Sequence, residues 1–278
     1  MSGNHDGSKP HLSPTQINMI QRCAAQWMYR YDLGFKVPPG LAMITGSAVD
    51  SGSNHNMEQK IESHEDLPVD DVLDAFATSF EARKHEAELK KGEEPGEFKD
   101  RGARALKAFQ EELAPTIQPA AVQDKALLTI PNFSFDLMVV PDIIQEGPGG
   151  PEDKEIPRDM KFSGKSPDGV KSGNIILRPA HYLQIVCYAL ARSAMTGKVI
   201  VQGFIDYCVG TKTTAKAIAA PISFSDQDFK YVQSMIGLAA RQIELKVFPP
   251  NRQNQMCSRK FCGYWEMCEK DFGGRVKE

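Results

Sequence analysis

Hydrophobic positions recur along this chain at helical spacing first, at strand spacing in the middle, and at helical spacing again towards the end. Ser13-Pro14 pairs a hydroxyl N-cap with proline at the first helical position, and Ile17, Ile20, Ala24, Trp27 and Tyr31 then mark one buried face as far as Gly34. Residues 43–61 and 69–91 predict two further helices. The first is weakened by Gly46 and Gly52; the second turns Val72, Leu73, Phe76 and Phe80 inward. The polar run 90–100 reads as a solvated loop, and 102–113 as a helix ended by Pro115. Residues 125–130 and 133–140 predict a hairpin around Pro131-Asn132, joined by a strand at 156–162. A helix at 180–195, strands at 198–209 and 215–224, and a helix from Ser225 to about Leu245 complete the pattern. The tail beyond them reads as irregular. The expected class is therefore α/β (α+β), with one domain spanning 13–272 between a disordered tail at 1–12 and a short tail at 273–278.

Composition narrows this little. Among the 278 residues, 41% are hydrophobic and 25% charged, ordinary for a globular protein, and no apolar run is long enough to span a membrane. The first residues lack the apolar core of a signal peptide, so a cytoplasmic setting is expected, with the six cysteines as thiols or metal ligands. A net charge of −3 does not advertise a nucleic-acid binder. Lys161, Lys165, Lys171 and Arg178 nevertheless form a local basic excess opposed by Asp168 alone, and phosphate contacts depend on local charge.

The chemistry concentrates between Phe133 and Tyr188. An apolar β-rich run ends in Pro141-Asp142, Asp159 and Lys161 stand two apart on the next strand, and Gln184 and Tyr188 stand one turn apart on the following helix. Residues i and i+2 of a strand face the same way, as do i and i+4 of a helix. Asp/Glu-x-Lys alone means little, since the chain has seven instances. Only Asp159–Lys161 lies between a strand ending in Pro-Asp and a Gln-x-x-x-Tyr helix.

That constellation resembles the PD-(D/E)xK nuclease superfamily, in particular its RecB-like exonuclease branch. The resemblance implies a restriction-endonuclease-like core with a central mixed sheet flanked by helices. It also implies Mg²⁺- or Mn²⁺-dependent hydrolysis of DNA to 5′-phosphates, on single strands or duplex ends, in recombination or repair. Hard cations want oxygen ligands. Asp142, Asp159 and the Met160 carbonyl would supply them, with Lys161 stabilising charge at phosphorus and Gln184 and Tyr188 positioning the strand. Lys165, Lys171 and Arg178 would contact DNA. RecB-like nucleases usually carry a metal-binding histidine four residues after a glycine; here the frame Gly46-Ser-Ala-Val-Asp50 places Asp50 there, still an acceptable hard ligand. Phage-borne relatives are common, and a helicase or a single-strand annealing protein is a conceivable partner.

Cys257, Cys262 and Cys268 fall within twelve residues of a polar tail, a grouping that suits a soft metal. Three thiols are one short of a closed site, and Cys23 is the candidate fourth. One cysteine near the start and three near the end resemble the iron–sulfur nucleases, the AddB subunit and the CRISPR adaptation nucleases, where a [4Fe–4S] cluster holds the C-terminal segment on the N-terminal helix. Those families typically separate the first two C-terminal cysteines by two residues; here four intervene, which keeps Zn²⁺ open as the alternative. Cys187 and Cys208 lie in apolar runs and read as buried thiols. A second function class also stays open: a non-catalytic DNA-binding or adaptor module with a structural metal. A redox protein is disfavoured by the lack of any Cys-x-x-Cys pair.

Overall fold

The computed structural model describes residues 9–148, 150–170 and 175–278, with 151–154 described as backbone only. It is a mixed α/β structure whose chain falls into two compact units: 1–37, 127–139 and 226–278 in one, 38–126 and 140–225 in the other.

The larger unit is built on a five-stranded mixed sheet. In chain order its strands are β2 (Pro119–Val122), β5 (Ile143–Gly147), β6 (Gly150–Ser163), β7 (Gln202–Gly210) and β8 (Ala215–Ser223), hydrogen-bonded in that same spatial order. β5 and β6 form an antiparallel hairpin, whereas β6 and β7 are parallel, with Asp159 opposite Ile205 and Lys161 opposite Tyr207. Parallel neighbours need a crossover, and α6 (Pro179–Thr196) supplies it, entered through Pro179 and closed by Gly197 in the left-handed region, φ 73°.

Helices α3 (Leu41–Ser63), α4 (Val69–Arg83) and α5 (Pro95–Glu112) share one apolar core with the sheet, in which Val49, Phe76, Phe80, Leu106 and Phe109 meet Met160 and Cys208. Two glycines make this packing possible. A Cβ at Gly52 would lie 2.4 Å from Leu106 Cδ2 and 2.9 Å from the Val72 carbonyl oxygen, and one at Gly102 would lie 2.6 Å from Thr45 Cγ2. Gly52 is therefore a close-approach point for α3 rather than a weakness in it.

The smaller unit opens with β1 (His11–Leu12), parallel to β4 (Asp136–Val139) in a three-stranded sheet of order β1-β4-β3, where β3 is Ala126–Leu128. Ser13 caps α1 (Pro14–Arg22) as its spacing predicts, its Oγ accepting from the Gln16 N–H at 3.3 Å. The expected single helix is interrupted at Cys23, whose backbone is extended (φ −168°, ψ 106°). α2 (Ala24–Trp27) and a π-helical turn at Met28–Asp32 follow. Trp27 stacks on Tyr31 and Phe248 at 5.8 and 5.5 Å. α7 (Asp226–Glu244) and α8 (Trp265–Phe272) complete the unit.

Several expectations need correction. The helix predicted to reach residue 91 stops at Arg83. The run 90–100, read as a loop, contains the start of α5: Pro95 sits where a missing N–H costs nothing, and the polar residues after it lie on a helix surface. The strand at 156–162 does not join the 125–140 hairpin; it pairs with β5, a strand not expected from the sequence. The cysteine-rich tail is not wholly irregular, since it contains α8. No helix among the described residues is long and apolar enough to cross a membrane.

Candidate active site

The site grows out of the alternation of β6. Arg158 and Met160 turn to one face of the sheet, Asp159 and Lys161 to the other. On the first face Arg158 grips Asp206 of β7 with two hydrogen bonds, 2.7 and 2.6 Å, and donates to Gln145 of β5 at 2.6 Å, which ties the three central strands together. On the second face Asp159 is 1% exposed and meets α6. Gln184 Nε2 donates to Asp159 Oδ1 at 2.9 Å, and the Tyr188 hydroxyl donates to the same oxygen at 3.1 Å. Gln184 also donates to the Tyr188 oxygen at 2.5 Å, so the pair one helical turn apart acts as a single clamp.

The other carboxylate oxygen, Asp159 Oδ2, is fully buried and accepts no hydrogen bond of acceptable geometry among the described residues. It forms an ion pair with Lys161 Nζ. The two observations agree: the ammonium neutralises this oxygen through charge while its lone pairs stay without a well-aligned donor.

Asp142 occupies the short link before β5. Its Oδ2 accepts from the Met160 N–H at 2.7 Å, and its Oδ1 from Gln123 Nε2 at 3.0 Å. Burial, then the charge of Asp159, push its carboxyl up to about 7, against the pull of Lys161 and the two hydrogen bonds. Asp50, on α3, is also held well above the usual carboxylate range, by burial and then by Asp142, with Lys161 opposing. Burial alone would lower Lys161, but Asp159, Asp142 and Asp50 outweigh it and hold the ammonium charged. Three carboxylates thus confront one cation. An excess of buried negative charge is relieved by taking up protons or by a divalent ion.

The structure brings Asp50, Asp142, Asp159, Lys161, Gln184 and Tyr188 into one interacting group. Met160 contributes its N–H there, while its side chain joins the core. Beside Lys161 opens a cavity of about 130 Å³ whose walls include Lys165, Arg178, His181 and Tyr207. Lys171 lies outside the described residues. Gln123 was missed at the sequence level, since nothing local marks a glutamine 19 positions upstream as the partner of Asp142.

In the smaller unit, Cys23, Cys257, Cys262 and Cys268 line one narrow cavity of about 20 Å³. Donors already point at two of the sulfurs: Gln26 Nε2 to Cys262 Sγ at 3.3 Å, and the Asn251 N–H to Cys23 Sγ at 3.4 Å. Cys187 and Cys208 are fully buried and free, in keeping with a packing role. Among the described residues, no three His, Cys, Asp or Glu side chains stand close enough to hold an ion as they are.

Comparison with known proteins places this arrangement. The model of the PD-(D/E)XK nuclease superfamily matches residues 11–269, and the chain belongs to that superfamily. It is accordingly a nuclease by class, and members of this superfamily typically use divalent metals such as Mg²⁺ and act on DNA. The fold is similar to the crystal structure of a presumed exonuclease from Eubacterium rectale, at 14% identity and a TM-score of 0.55, covering 98% of this chain and 94% of that one. The crystal structure of SSO0001 also matches, at 11% identity over 92% of this chain and 95% of that one, but its TM-score of 0.38 supports no argument. No curated protein matches.

Proposed function

We propose that the chain is a metal-dependent DNA exonuclease of the RecB-like branch, cutting strand ends to leave 5′-phosphates in recombination or repair. The observation that carries this reading is the buried Asp159 carboxylate, whose Oδ2 is in direct contact with the Lys161 ammonium beside two further carboxylates. Asp50, Asp142, Asp159 and the Met160 carbonyl would hold the cations. Bound Mg²⁺ or Mn²⁺ supplies neutralisation of the phosphate and a lowered pKa for water.

The chain's own groups do the rest. Gln184 and Tyr188 fix the Asp159 carboxylate through Oδ1, while Lys161 pairs with Oδ2. The Lys161 ammonium, kept charged by its neighbours, stabilises negative charge gathering on phosphorus as water attacks and the bond to the 3′-oxygen breaks. Lys165 and Arg178, with Lys171, are proposed to contact the DNA backbone. The nuclease domain is proposed to span 13–272 in a cytoplasmic protein, with a helicase or annealing protein as its natural partner.

Linear and covalently closed single-stranded circles offered in parallel with Mn²⁺ test the exonuclease reading. Linear DNA is expected to be degraded to 5′-phosphorylated nucleotides while circles persist. Equal loss of circles would make the activity endonucleolytic, and survival of both would favour the non-catalytic adaptor.

Cys23, Cys257, Cys262 and Cys268 are proposed to bind a [4Fe–4S] cluster. The free space of about 20 Å³ is on the order of one water, so the thiols must draw in around either group, and a cluster requires more displacement of the side chains that fill the cavity than one Zn²⁺ ion does. Protein purified without oxygen is expected to be brown, with iron and acid-labile sulfide in equal amounts. Colourless protein carrying zinc alone would sink the cluster.

A further inference from the structure

We infer that the cavity beside Lys161 is a subsite for a terminal phosphate of a nucleic-acid strand, held by Lys165 and Arg178. The inference rests on the nuclease reading and deepens it by naming what the site grips.

Five segments wall the cavity: the end of β6 at Lys161–Ser163, the loop at Lys165–Asp168, Ile176 with Arg178, His181 on α6 and Tyr207 on β7. At about 130 Å³ it holds several times the volume that one water needs. Among the described residues, neither Lys165 nor Arg178 enters an ion pair, whereas Lys161 is already matched by Asp159. Two uncommitted cations therefore face one carboxylate, Asp168, across a space closed on several sides. His181 adds no charge near neutrality. Burial, then Lys161, hold it down at about 4, and its Nδ1 lies 3.1 Å from the Tyr207 hydroxyl.

Lys165 and Arg178, outside any ion pair among the described residues, together with the neutral His181 and Tyr207, suit an anion that also accepts hydrogen bonds. A phosphate monoester carries nearly two charges at neutral pH and offers three terminal oxygens, more than the phosphodiester links inside a strand. A strand running through needs an open groove; a strand end needs only a recess. Because Lys161 belongs both to this recess and to the carboxylate group, an end seated here presents its neighbouring phosphodiester to Asp159.

The full-length protein is tested with Ca²⁺ in place of Mn²⁺, by fluorescence anisotropy on one single-stranded oligonucleotide carrying a 5′-phosphate, a 3′-phosphate or hydroxyl at both ends. One phosphorylated form is expected to bind about tenfold more tightly than the hydroxyl form, the scale of a charge-assisted contact, and the arm that gains names the end. Lys165→Ala with Arg178→Ala is expected to erase the difference, and Asp168→Asn to enlarge it. Both alter exposed side chains, and melting curves check that the variants fold. Equal binding of all three forms, or a preference surviving the double change, overturns the inference. Mn²⁺-dependent degradation is measured alongside. Active protein without end preference overturns the subsite alone, whereas inactive protein that still selects phosphorylated ends supports the subsite and overturns the nuclease reading.

Discussion

Asp159→Asn lowers Mn²⁺-dependent DNA degradation by about a thousandfold or more, the scale on which losing a preorganised charged group acts. Asp159 is held on both sides, by Gln184 and Tyr188 at Oδ1 and by Lys161 at Oδ2, and it alone of the three carboxylates pairs directly with the ammonium among the described residues. Asparagine keeps its size but not its charge. Lys161→Met, which keeps most of the length of the side chain, is expected to cost a similar factor. Stability separates a lost site from a lost fold. Asp159 adds to the charge that pushes Asp142 and Asp50 above the usual carboxylate range, so its neutralisation relieves repulsion. The Asp159→Asn protein is expected to melt no lower than the parent when metal is absent. Retained activity in both variants would dismiss the site.

Arg158→Met acts in the opposite way, through the fold. Arg158 is 4% exposed and Asp206 0%, and the guanidinium also lies 4.3 Å over the Phe204 ring. Removing it strands a carboxylate whose charge burial already disfavours. The expected cost is about 3–5 kcal/mol, read as a fall in Tm of roughly 10 °C. Adding Asp206→Leu should recover most of it, because the penalty comes from the stranded charge rather than from the missing contact. A single variant that melts like the parent, or a double variant no better than the single, would show that the pair does not hold β6 to β7.

What could be read ahead of the structure followed from local periodicity. Asp159 and Lys161 are two apart on a strand, and Gln184 and Tyr188 four apart on a helix, so each pair shares a face whatever the fold does around it. Asp50 was reached not by periodicity but through the family resemblance, which expects a metal ligand four residues after a glycine, here Gly46. Contacts between remote segments left no such mark. Gln123 reaches Asp142 only because β2 and β5 pair, and that pairing was hidden because no strand was expected just after Asp142. Gly52 and Gly102 lower intrinsic helix propensity, yet tertiary packing overrides it where α3, α4 and α5 close on one another. The break at Cys23 was invisible as well, since the apolar spacing from Ile17 to Tyr31 runs straight across it. Pro95 misled in its own way: within a charged run it resembles a loop residue, though it opens an 18-residue helix.

Four consecutive residues of β6 carry two unrelated duties, Arg158 and Met160 anchoring one side of the sheet while Asp159 and Lys161 face the other. A slip of one position along this strand would exchange the sides entirely. It would thrust a guanidinium towards the reaction centre and leave an acid among aliphatic neighbours. Insertions or deletions inside 158–161 should therefore be tolerated far less well than substitutions at any one of the four, and a mutational scan of this strand would record the contrast as a frame-like intolerance to changes in length.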